Sequence, residues 1–178
     1  LGLVVSNSEV GWGALSVQVL VYRLVCTNGM IVGEDMPGFR KVHVGANLSR
    51  GDDASVFTDE TKRLTDAAVW AQASDAIKAA VSQSNLDRIT DRLNGIAQVR
   101  LANPETAVEL VAKKFDLVED ERKGVMRNLI EGGDVTQWGL LNAVTALANN
   151  AASYDRAIEL ETIGGKVASL TLNQFGNN

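Results

Sequence analysis

Ala14-Leu-Ser-Val-Gln-Val-Leu-Val-Tyr-Arg-Leu-Val-Cys-Thr-Asn-Gly-Met-Ile-Val-Gly-Glu-Asp-Met36 is the stretch on which the fold turns. Its first half alternates. Leu15, Val17, Val19 and Val21 fall on one face, and Ser16, Gln18, Leu20 and Tyr22 on the other, the period of a strand. From Leu20 both faces become mostly apolar, which predicts cover on two sides, and Arg23 interrupts the run. Thr27-Asn28-Gly29 suits a tight hairpin. Met30-Ile-Val32 then reads either as a short return strand or as the start of a covered segment.

Working outward, Leu1–Ser6 also reads as a strand, and residues 7–13, with Gly11 and Gly13, as a turn. Residues 33–38 read as loop. Phe39 to Gly45 alternates again, with Phe39, Lys41 and His43 on one face and Arg40, Val42 and Val44 on the other. This predicts an edge strand whose charges discourage edge-to-edge pairing. Asn47 to Ser55 reads as polar loop.

Beyond it the period becomes helical. Thr58 followed by Asp59 and Glu60 predicts a capped helix start with acid in its first turn. That helix is apolar over a wide arc, with Leu64, Ala67, Ala68 and Ala71 on one stripe and Trp70, Ala73, Ile77, Ala80 and Val81 on another, so it is expected to be sandwiched. Residues 82–85 break or bend it, and Leu86, Ile89, Leu93 and Ile96 form a buried seam. Asn103-Pro104-Glu105 is the cleanest helix start in the chain, with Val108, Val111 and Phe115 facing inward. Another helix opens at Glu119-Asp120-Glu121, buries Val125, Met126, Leu129 and Ile130, and stops at Gly132-Gly133. Asp134 with Gln137 fits a capping box for a helix carrying Trp138, Leu141, Thr145 and Ala148. Tyr154, Ile158 and Glu161 either extend that helix or belong to a last one that passes or stops at Gly164-Gly165, and the tail from Leu172 is expected to fray.

The 178 residues suffice for one domain with a real core or for two small ones. Aromatics make up only 5% and alanine is abundant, which points to closely packed helices, with contact between subunits as one outcome. The single cysteine forms no internal disulfide, so nothing requires an oxidising compartment. No apolar run approaches the roughly 20 residues of a membrane span. The net charge is −5, divided unevenly: residues 1–51 carry +1 and the remainder −6. An anion would find the strand half the better surface.

Three stretches resemble a family carried by phages and plasmids and known only as a domain of unknown function. They are Val4-Val-Ser-Asn-Ser-Glu-Val-Gly11, Tyr22-Arg-Leu-Val-Cys-Thr-Asn-Gly29 and Arg40-Lys-Val-His43, joined by Trp138-Gly-Leu-Leu-Asn-Ala-Val-Thr145 near the C-terminus. The resemblance implies a mobile-element protein acting among replication, recombination and anti-restriction functions, with no catalytic residues to carry over. It also implies a further N-terminal part, in keeping with a chain that opens inside a strand-like run. In outline, strands followed by helices are similar to the single-strand annealing proteins, an analogy of fold alone.

Each singled-out residue has a plain structural alternative. Cys26 and His43 read as a nucleophile–base pair, as metal ligands, or simply as a buried cysteine and its neighbour. The last is favoured, because zinc usually needs four ligands and a cysteine nucleophile needs an oriented base. Arg23 either forks a phosphate or pairs with Glu34 or Asp35, the latter favoured. Arg40, Lys41, His43 and Arg50 suit a nucleic-acid backbone, with Trp12 and Phe39 as stacking surfaces, or form a solvated edge. Asn142 and Thr145 are read as packing residues. A helix-turn-helix reading of Gly132-Gly133 and its flanking helices fails because Trp138 to Ala148 holds no Lys or Arg.

The expectation is an α+β fold, with a small antiparallel sheet over 1–50 and a helical portion of four to six helices over 51–178, packed as one domain. Its expected role is non-enzymatic, in DNA transactions in the cytoplasm of a bacterial host. Single-stranded DNA would be held by Trp12, Arg23, Phe39, Arg40, Lys41, His43 and Arg50, with no metal, cofactor or membrane. The alternative is an oligomeric structural or interaction protein that meets no nucleic acid.

Overall fold

The computed structural model describes residues 2–6, 14–22, 29–31, 39–42 and 58–171. Four short strands come first: β1 (Gly2–Ser6), β2 (Ala14–Tyr22), β3 (Gly29–Ile31) and β4 (Phe39–Val42). Six helices follow: α1 (Asp59–Ala80), α2 (Gln83–Gln98), α3 (Pro104–Lys114), α4 (Glu119–Gly132), α5 (Gln137–Thr145) and α6 (Tyr154–Val167). A 3-10 turn, Ala146–Asn150, leads out of α5. The expected turn at 7–13, the Asn28 hairpin corner, the loops at 33–38 and 47–55, and the tail from Leu172 lie outside the described residues.

The expected α+β class is corrected. Over residues 58–171 the chain is 79% helical, six helices follow one another, and no strand stands among them. The alternation in the first forty residues produces only short ladders. Leu20, Val21 and Tyr22 of β2 stand opposite Ile31, Met30 and Gly29, and Ala14, Leu15, Ser16 and Val17 opposite Val42, Lys41, Arg40 and Phe39, both antiparallel. Among the residues whose burial is described, the core comes from the helices and their connections together with Met30 of β3, and the described fold is mainly helical.

The chain divides into two compact units. One comprises Gly2–Val19 and Glu34–Leu86, and the other Leu20–Gly33 with everything from Asp87. In the first, α1 packs against β4. Thr58 caps α1, its hydroxyl accepting from the Thr61 N–H at 3.3 Å. The buried Asn85 side chain donates to the Ala80 carbonyl at 2.8 Å, which closes the helix. The expected sandwiching of α1 is corrected: Ala73 and Ala80 are buried, but Leu64, Trp70 and Val81 are 56%, 73% and 47% exposed. A wide apolar arc does not say which part of it is used.

In the second unit α5 is the central helix. Leu140, Leu141, Ala143, Val144 and Thr145 are all buried, and α4 and α6 lie against it. Helix α3 adds Ala107, Val108 and Val111, α4 adds Val125 and Leu129, α6 adds Leu160, Ile163 and Val167, and Met30 of β3 joins them. Ile130, expected inside, is 72% exposed. The helix ends follow local chemistry. The Asn103 side-chain oxygen, Oδ1, accepts from the Thr106 N–H at 3.1 Å, with Pro104 at the first helical position. Gly133, at φ +65°, ends α4. The capping box expected of Asp134 and Gln137 is not formed. Thr136 is the cap, accepting from the Gly139 N–H at 3.2 Å, and Asp134 accepts from the Thr136 hydroxyl.

Candidate functional site

Of the cationic and aromatic residues picked out in the sequence, the structure places Phe39, Arg40 and Lys41. They are consecutive on β4, opposite Val17, Ser16 and Leu15. Trp12, Arg23, His43 and Arg50 lie outside the described residues, and so does Cys26.

The strongest polar arrangement in the helical unit was not legible in sequence. Arg156, near the start of α6, forks Glu121, near the start of α4: Nε donates to Oε1 at 2.8 Å and an Nη to Oε2 at 2.7 Å. The same Glu121 Oε2 accepts the Val118 N–H at 3.0 Å, so one carboxylate both caps α4 and holds α6. Arg156 also donates to Glu159 at 2.6 Å. The Arg156 hydrogen bonds hold the Glu121 carboxyl below its ordinary pKa, against the opposing effect of partial burial. Beside it, Arg122 forks Glu119 and reaches Glu109 on α3. Arg122, and after it Lys123, bring Glu119 down to about 2. Both guanidiniums are thereby held more firmly protonated. The acids at 119–121 could be read as a first helical turn. Their partners, 35 residues away for Arg156, could not.

Gln137 forms a second junction. It is buried, and its amide donates to the carbonyls of Val167 at 2.8 Å and Leu170 at 3.0 Å, which satisfies the end of α6. Its own N–H donates to Val99 at 2.8 Å, next to a bridge between Arg100 and Thr136. Along the same helix Asn142 donates to the Trp138 carbonyl and Thr145 to that of Asn142. Thr145 packs so closely on Gly164 that a Cβ there would lie 2.2 Å from the threonine methyl. The motif from Trp138 to Thr145 thus does packing work, as expected of Asn142 and Thr145. Because α5 is the core helix, it has no face to offer a DNA groove, a second reason against helix-turn-helix.

Thr106, Glu109, Leu110, Lys113 and Lys114 of α3 line an open hollow. Among the described residues no three His, Cys, Asp or Glu side chains gather as a metal site requires. No helix among them is long and apolar enough to cross a membrane.

Fold and site together define a mainly helical protein whose polar clusters are struts between helices. The family follows from comparison: the profile described as domain of unknown function (DUF932) matches residues 2–164, and the chain belongs to that family. No curated protein and no solved structure matches it.

Proposed function

We propose that this is a phage- or plasmid-borne protein that takes part in DNA transactions in the host cytoplasm. In this reading it holds single-stranded nucleic acid without catalysing a reaction and without a cofactor. The observation that carries the reading is the charge division, +1 over residues 1–51 against −6 over the rest. Two features support it. Arg122 of α4 and Arg156 of α6 are engaged by carboxylates, which lowers their availability to an anion. Strand β4 sets Phe39, Arg40 and Lys41 side by side. Cations there would follow the phosphates, while aromatics give bases a stacking surface without sequence preference.

The test is fluorescence anisotropy with labelled oligonucleotides at low and moderate salt. Binding is expected at micromolar protein, falling as salt rises. Arg40→Glu combined with Lys41→Glu is expected to weaken it and flatten the salt dependence by about one to two phosphate contacts. No binding at micromolar protein, or binding indifferent to the double substitution, overturns the reading.

A further inference from the structure

Helix α1 presents two faces. Ala73 and Ala80 are buried, at 5% and 1% exposure. Almost opposite on the helical wheel runs a second line: Glu60, Leu64, Ala67, Ala71, Ser74 and Lys78, at alternating intervals of four and three residues. All six are exposed, and Trp70 flanks them at 73% exposure. Intervals of four and three average to about 3.5, the period that keeps one seam of a helix facing a partner helix. In this line the middle holds Leu64, Ala67 and Ala71, small enough at the alanines for a close approach, and the ends hold opposite charges, Glu60 and Lys78.

We propose that this seam pairs with the same seam of a second copy of the chain, antiparallel, about a two-fold axis at Val69. The occupant and its direction follow from charge. In the antiparallel register Ala67 meets Ala71 of the second copy, Leu64 meets Ser74, and Glu60 meets Lys78 at both ends. A parallel pair would instead set Glu60 against Glu60 and Lys78 against Lys78, like charges in the seam at each end. The small residues at the centre let the two backbones approach closely, and the two Trp70 side chains come together beside the axis. The bonds these ends now make are exposed pairs within one helix, Glu60 with Arg63 at 2.7 Å and Lys78 with Asp75 at 3.8 Å. Pairs of that kind hold their partners weakly. One helix of 22 residues is about 33 Å long, less contact than a large obligate interface, so a reversible dimer of micromolar strength is expected. The pairing does not depend on the nucleic-acid reading.

Sedimentation equilibrium of the full chain tests it, with circular dichroism confirming that each variant stays folded. A reversible monomer–dimer equilibrium is expected. Glu60→Lys alone and Lys78→Glu alone each act twice in a symmetric dimer and should weaken it about tenfold, whereas the two together should restore it. Ala71→Glu should abolish it. In a Cys26→Ser background, Ala67→Cys mixed with Ala71→Cys should form a disulfide between copies that neither forms alone. A monomer at every concentration reached, a dimer that tolerates Ala71→Glu, or single charge reversals that the double variant does not rescue each overturn the proposal. A dimer that binds no oligonucleotide sinks the nucleic-acid reading and leaves this one standing.

Discussion

At Gly164 a single hydrogen atom decides how closely two helices approach. A Cβ there would sit 2.2 Å from the Thr145 methyl, and Thr145 is buried with 1% exposure, so the methyl has little room to give way. Gly164→Ala should therefore destabilise the protein, by about 1–3 kcal/mol for overpacking less up to about 1 kcal/mol of gained helix propensity. Thr145→Ser deletes the opposing methyl, so adding it to Gly164→Ala should recover part of the loss, a coupling that urea titrations of the four-member cycle would measure. Gly95 in α2 is the control, since nothing lies within 4 Å of its Cβ position. Gly95→Ala should stabilise by about 0.5–1 kcal/mol. If both alanines had the same sign, close approach at Gly164 would not be the cause.

At the scale of the element, α4 and α6 are tied at their N-terminal ends through Glu121. Its carboxyl titrates lower in the folded protein than in the unfolded chain, because Arg156 favours the charged form. The resulting stabilisation is fully present above the unfolded value of about 4.3 and fades as pH falls through the lowered folded value. Glu121→Gln should cost about 1–3 kcal/mol at neutral pH. The gap from the unchanged protein should close in acid, as urea midpoints at stepped pH would show. A gap that ignores pH would mean that the Glu121 charge and its pairing with Arg156 do not carry the effect. What was legible in the sequence divides along the same line. Thr58, Asn103 and Gly133 act on backbone within a few residues, so their roles could be read directly. The Asp134 expectation failed even at short range because Thr136, two residues on, offers a competing hydroxyl. Arg156 and Glu121 meet only after α4, α5 and α6 have packed, and no local pattern announces that.

For the molecule as a whole, the alternation around Ala14–Tyr22 suggested a small sheet packed with the helices as one α+β domain, whereas the chain from residue 58 to 171 is 79% helical. Apolar alternation specifies where strands sit, not how much of the core they supply. Met30 of β3 joins a core in which the other residues of described burial run from Ile96 onward. The candidate site was less legible still: of its residues the structure gives Phe39, Arg40 and Lys41 a backbone register on β4, opposite Val17, Ser16 and Leu15.

The enclosure of α5 has a kinetic counterpart. Its amide protons have no path to deuterium through fraying or local breathing, because α4 and α6 flank it and Gln137 at its first position anchors the end of α6. They should therefore trade with solvent only when that unit opens entirely. The exposed amides of α1 should exchange far sooner, and α5 should serve as an internal clock for how often that unit comes apart.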